Sequence, residues 1–212
     1  MERHALVHQG HERRWIEIEG TTNALLLVLH GSLQSGNVLR NFTDRTFEGL
    51  GPTVVYPDGI KHHFNDLRAG FNEDARRMRI DDVGFLTKLV EHYSADTVIG
   101  CGFSNGGQMI MRLLFDAPGL LTGAATFGAS MPTADNTLTT TDNYQPTKLL
   151  AVQGTKDKLV PYDGGVAGIG GNNRGETRSA LNSAEFFADL NGCTGHVAST
   201  SEKLRVCLLY TS

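Results

Sequence analysis

Apolar residues fall along this chain in short unbroken runs, and each run stops at a glycine-containing turn. Leu25 to Leu29 stops at His30-Gly31-Ser32, Thr53 to Tyr56 at Pro57-Asp58-Gly59, and Asp96 to Cys101 at Gly102. Leu121 to Phe127 stops at Gly128, and Lys148 to Val152 at Gln153-Gly154. Runs of this length without polar alternation are the mark of strands buried on both faces. Between them the spacing changes to three and four residues. Ile80, Val83, Leu86, Leu89 and Val90 predict a helix with Asp81 and Asp82 in its first turn. Met109, Ile110, Leu113 and Leu114 predict a second over 108–115, ending before Pro118. A third runs over 179–190 and closes at Asn191-Gly192. Strands alternating with helices predict an α/β layer architecture around a mostly parallel sheet. His4–Val7 and Trp15–Ile18 read as a hairpin feeding that sheet, and 164–175 as a surface loop.

Composition narrows the picture. The chain has 212 residues, 40% of them hydrophobic and 20% charged, which is the balance of a globular chain with one sizeable core. A single domain over 1–206 is the expectation. The formal charge of −4 leaves no basic footprint for nucleic acid. The longest apolar run, Ala24 to Leu29, is far shorter than the roughly 20 residues of a membrane span. Met1 leads straight into polar sequence, so no export signal is read and the cytoplasm is the default. Cys101, Cys193 and Cys207 lack the paired spacing of a zinc or redox motif, and Cys101 reads as a small buried hydrophobe.

The chemistry sits in Gly102-Phe103-Ser104-Asn105-Gly106, a G-x-S-x-G pattern. Five residues alone are a weak signal, but these follow an apolar strand and open a helix, the setting a nucleophile elbow requires. Small residues two before and two after the serine let strand and helix approach while the serine holds a strained backbone. Such a serine needs a base, an acid that orients the base, and donors for the oxyanion. The backbone N–H groups of Ser32, in the turn after an apolar strand, and of Asn105, next after the serine, are the candidate donors. His30 in that turn reads as shaping the loop rather than transferring protons. Asp157 follows the run 148–152 and lies where ligand groups gather in open parallel sheets, with Asp163 its competitor. Asp135 reads as surface.

The chain here resembles the polyhydroxybutyrate-depolymerase-like and feruloyl-esterase-like α/β hydrolases, near carbohydrate esterase family one. The resemblance runs from about Leu25 to Cys193. It is carried by His30-Gly-Ser-x-Gln-Ser-Gly36, Tyr56-Pro-Asp-Gly59, Phe64-Asn-Asp66, Asp81-Asp-Val-Gly-Phe-Leu86, the elbow through Gln108-Met109, Gly154-Thr-x-Asp157 with Val160-Pro-Tyr162, Gly164-Gly165 and Asn191-Gly-Cys193. It implies an α/β-hydrolase fold, with Ser104 as nucleophile, Asp157 as triad acid and the Ser32 loop as oxyanion hole. It departs at Phe64, where members carry Trp on the substrate-facing wall, and at Gln153, where they carry His.

In that family the triad histidine comes late, in a glycine-rich turn past another strand. After Asp157 this sequence holds only His196. His4, His8, His11, His62, His63 and His92 precede Ser104 and read as surface or strand positions. His62-His63 could line the pocket mouth, but as a metal pair they lack further ligands at telling spacing. Cys207-Leu-Leu-Tyr-Thr-Ser212 is what a transposase adapter sequence encodes, so 207–212 is expected to be a tail foreign to the fold. The natural chain is then expected to continue past Val206 with the last strand, helix and triad histidine, His196 being the alternative base.

What the resemblance implies is a serine carboxylic-ester hydrolase that needs no cofactor. Hydroxyalkanoate oligoesters, feruloyl or acetyl esters on polysaccharide, or small acyl esters are the expected substrates. A monomer acting on small or polymeric esters is expected, with neither nucleic acid nor membrane as partner. Family members are often exported. The rivals are a serine peptidase of the same fold and a non-catalytic polysaccharide-binding homologue.

Overall fold

The computed structural model describes residues 1–201 and 205–210; Thr211 and Ser212, in the expected tail, lie outside the described residues. The chain opens with the hairpin β1 (Glu2–His8) and β2 (His11–Ile18), followed by β3 (Ala24–Leu29), α1 (Gly36–Phe42) and β4 (Thr53–Pro57). Next come a four-residue turn of helix, α2 (Asp74–Arg77), then α3 (Asp82–Tyr93), β5 (Thr97–Phe103), α4 (Asn105–Asp116), β6 (Gly123–Phe127) and β7 (Lys148–Val152). A second hairpin, β8 (Gly165–Ile169) and β9 (Asn172–Thr177), leads to α5 (Ala180–Leu190) and to a separate pair, β10 (Gly195–Thr200) and β11 (Arg205–Tyr210).

Seven strands form one sheet in the order β1-β2-β4-β3-β5-β6-β7. From β4 to β7 all neighbours are parallel, and β1 and β2 add an antiparallel edge. The unbroken run in β3 reflects burial on both sides. Leu25, Leu27 and Leu29 join the cluster under α3, α4 and α5, whereas Leu26 and Val28 face Leu39 of α1. Helix starts follow the sequence signals. The Asp81 side chain caps α3 by accepting from Gly84 N–H at 2.8 Å, and Ser179 caps α5 by accepting from Asn182 N–H at 3.0 Å. Arg13 on β2 and Asp82 at the start of α3 form an ion pair of 2.6 Å, both side chains fully buried. Burial pushes the Asp82 carboxyl up and Arg13 opposes it.

Three expectations are corrected. β7 is not buried on both faces: it is the sheet's edge, with Leu150 57% and Val152 40% exposed. The stretch 164–175 is not a plain surface loop but most of the β8–β9 hairpin, whose Arg174 and Ala167 are buried. His63 is no surface position: it is 3% exposed. Asp135 is exposed and Cys101 is buried, as the sequence predicts; burial pushes the Cys101 thiol up to about 12.

Candidate active site

The parallel strands bring their C-terminal ends to one side of the sheet, and the residues singled out in the sequence gather there. Ser104 stands between β5 and α4 at φ 52 and ψ −113, the left-handed side of backbone space that a side chain rarely occupies. Its N–H donates to Phe127 O at 2.8 Å, pinning the turn to the neighbouring strand. The flanking glycines are needed for contact. A β-carbon at Gly102 would collide with the Gly106 carbonyl, and one at Gly106 with the Leu29 carbonyl. The serine thus sits on a corner that only glycine at both positions permits.

The approach at Gly106 also sets the turn after β3 against the start of α4. His30 lies in that turn, fully buried and tilted against Phe64 with ring centroids 4.7 Å apart. Its Nε2 accepts from Gly59 N–H at 2.9 Å, so the proton is on Nδ1, which donates to Gly31 O at 2.7 Å. Burial lowers its pKa to about 4, which keeps it neutral at ordinary pH. Gly31 N–H donates to Gln34 Oε1 at 3.1 Å, and Leu33 N–H to His62 O at 3.0 Å. Among the described residues the N–H groups of Ser32 and Asn105 make no hydrogen bond, which leaves both available to an incoming oxygen.

Asn105 has a second task that sequence reasoning missed. Its fully buried amide accepts from Phe64 N–H at 2.8 Å and donates to Phe64 O at 2.9 Å and to Asp66 Oδ2 at 2.7 Å. Asp66 is in turn held by Arg68. Phe64 is therefore not a substrate-facing wall: it is 0% exposed and packed under the loop. An Asn inside an otherwise apolar strand-to-helix corner is the one signal in the sequence for this clamp, because an amide buried there needs partners.

Asp157 is half-buried in the loop after β7. Its Oδ1 accepts from Leu159 N–H at 2.8 Å and Val160 N–H at 3.0 Å, and its Oδ2 from Gln153 Nε2 at 3.2 Å. Gln153, where the resembled family carries His, is thus a direct partner of the acid. A β-carbon at Gly128 would have Asp157 Oδ2 and the Phe103 ring each at 3.7 Å, so the carboxylate faces the end of β6 beside the elbow. Asp163, by contrast, is exposed. Among the described residues no histidine is hydrogen-bonded to Asp157 or Ser104. His196 is exposed on β10 opposite Leu209. Beside Phe103, on the α1 face of the sheet, an apolar depression of about 210 Å³ is lined by Val28, Leu39, Phe42, Cys101 and Phe127.

The order and direction of the strands are those of the α/β-hydrolase fold, and the solved structures that the chain resembles agree. A carboxylesterase of Bacillus cereus superposes with a TM-score of 0.55 at 18% identity, covering 85% of this chain and 79% of that one. A serine hydrolase homologue from Coxiella burnetii gives 0.52 at 14% identity, covering 76% and 77%. The chain has the α/β-hydrolase fold. Among curated proteins it is similar to NocK of Nocardia uniformis subsp. tsuyamanensis, a protein named as an esterase, at 27% identity over 154 residues. That match takes in 66% of this chain and 42% of NocK, so the chain spans about two-fifths of the relative's length. No protein-family model matches the chain.

Proposed function

We propose that this chain carries the acyl-transfer site of a serine carboxylic-ester hydrolase, with Ser104 as nucleophile, Asp157 as the acid that orients the base, and the N–H groups of Ser32 and Asn105 as oxyanion donors. The observation that carries the reading is Ser104 on a φ 52 corner between β5 and α4, with the unbonded Asn105 N–H directly after it. In the reaction, Ser104 Oγ adds to the ester carbonyl as an imidazole held by Asp157 takes its proton. The tetrahedral intermediate places its negative oxygen on the Ser32 and Asn105 N–H groups. It collapses as the imidazolium returns the proton to the departing alcohol, and water repeats the steps to release the acid. Each oxyanion donor contributes about 3 kcal/mol to lowering the barrier.

The base is the one member that the described residues do not bring to Asp157. Free imidazole can stand in for it, and this makes the reading testable. Hydrolysis of p-nitrophenyl acetate and butyrate is measured for this chain and for Ser104→Ala, with and without imidazole. The expected result is a weak reaction that needs Ser104 and rises with imidazole beyond the background of the alanine variant. A folded chain with no Ser104-dependent hydrolysis, and no labelling by a fluorophosphonate, would sink the reading and favour a non-catalytic homologue. Strong hydrolysis without imidazole that is lost in His196→Ala would make His196 the base. The substrate class proposed is that of polyhydroxybutyrate depolymerases and feruloyl or acetyl esterases; matched ester and amide substrates separate these from a peptidase.

A further inference from the structure

The β8–β9 hairpin sends one buried side chain into the candidate oxyanion loop across 142 residues of sequence. Arg174, 4% exposed, donates from Nη1 to Ser32 Oγ at 2.6 Å and from Nη2 to Glu73 Oε1 at 2.7 Å. Its guanidinium carbon lies 5.0 Å from the centroid of the Phe71 ring, and that of Arg68 lies 5.2 Å from the same ring. Arg68 holds Asp66, and Asp66 accepts from the Asn105 amide. A buried chain of contacts therefore runs Asn105, Asp66, Arg68, Phe71, Arg174, Ser32. It joins the two residues whose N–H groups are the candidate oxyanion donors.

The hairpin end of this chain is firmly seated. Asn136 Nδ2 donates to Arg174 O at 3.1 Å and to Glu176 O at 2.9 Å, while its Oδ1 accepts from Gly70 N–H at 2.8 Å. At the loop end Gln34 N–H donates to Gly31 O at 3.3 Å, and Gln34 O is bonded by His62 Nδ1 at 2.9 Å. Gly31 and Leu33 have their N–H groups bonded, and Leu33 sits at φ 64, but the Ser32 side chain has Arg174 as its hydrogen-bond partner. A charged donor locked between a carboxylate and the hydroxyl fixes the turn in which, among the described residues, the Ser32 N–H makes no hydrogen bond.

We infer that Arg174 is a positioning residue: it holds the loop at Ser32 so that this N–H stands ready beside that of Asn105. The inference rests on the proposed acyl-transfer site and adds to it a residue from a segment that the elbow, the acid loop and the oxyanion loop do not include. Arg174→Met keeps most of the aliphatic stem over Phe71 and removes both donors, and Arg174→Lys restores one charge without the fork.

The test measures amide hydrogen exchange across the whole 212-residue chain, together with Ser104-dependent acylation by p-nitrophenyl acetate with imidazole present. In Arg174→Met, exchange over residues 30–34 should rise about tenfold, the loss of one charge-assisted hydrogen bond, with α4 and β5 unchanged. The acylation rate constant should fall by a similar factor of about ten at unchanged ester affinity, and Arg174→Lys should recover part of both. Unchanged exchange over 30–34 overturns the inference, and so does faster exchange with an unaltered acylation rate. General loss of protection throughout the Arg174→Met chain would also overturn it, since Arg174 would then be holding the fold rather than the loop. If wild type shows no Ser104-dependent acylation, the nucleophile reading itself fails, and the loop held by Arg174 has no oxyanion to receive.

Discussion

The two halves of the candidate site are held in place by different physics. At the elbow, backbone touches backbone: Gly102 against Gly106, Gly106 against Leu29, and the Asn105 amide bonded across to Phe64 and Asp66. At the acid, Asp157 is half-buried after an edge strand whose Leu150 and Val152 are exposed, and its carboxylate is fixed by three nearby donors from residues 153–160. One half is set by dense long-range packing, the other by a short local turn. A change at the elbow is therefore expected to register in stability first, whereas a change in the Asp157 loop should leave the fold almost untouched.

The largest test of that contrast is Gly106→Ala. The new methyl meets the Leu29 carbonyl, which neither rotates away nor compresses, so a loss on the order of 3 kcal/mol or more is expected in denaturant unfolding. A stable Gly106→Ala protein would break the comparison.

Acid pH probes the same region through His30. The unfolded imidazole binds a proton below about 6.5, whereas the buried one does so only below about 4. Between those values the unfolded state holds the extra proton, so stability falls as pH falls through this window. The group contributes up to about 3 kcal/mol to that loss. Melting from pH 7 to pH 4 should show the decline, and His30→Gln should flatten it.

Asn105→Ala removes the amide that serves Phe64 and Asp66 and leaves buried groups unpaired, for a cost of about 2 kcal/mol by chemical denaturation. At the acid, Gln153→Ala deletes one hydrogen bond to Asp157 and one to Val160 O, and should cost no more than about 1 kcal/mol. A loss as large as that of Gly106→Ala would erase the distinction. Smallest of all is Leu150→Lys on the exposed edge strand, which should stay within about 0.5 kcal/mol of wild type.

The strand-and-helix skeleton was legible along the chain because its signals are local. β7 spans the predicted Lys148–Val152, the helices expected with Asp81 in the first turn and over 179–190 start one residue later with Asp81 and Ser179 as their caps, and the G-x-S-x-G glycines sit where backbones touch. A run of apolar residues says that a strand wants covering, but it does not say whether a neighbour arrives. For that reason Leu150 and Val152 look as buried as Leu27 in the sequence and are not in the structure. Glycine-rich 164–175 carries no period, so its hairpin was invisible, and with it the burial of Arg174.

Periodicity and glycine spacing, which act within a few residues, were enough to locate the seven strands of the central sheet, the helices α3, α4 and α5, and the glycine corner at Ser104. Folding of the whole chain was needed to make Phe64 core and to bring Arg174 to Ser32. Those outcomes depend on which distant surfaces meet, and an arginine's charge cannot announce, 142 residues away, the hydroxyl it will be buried against.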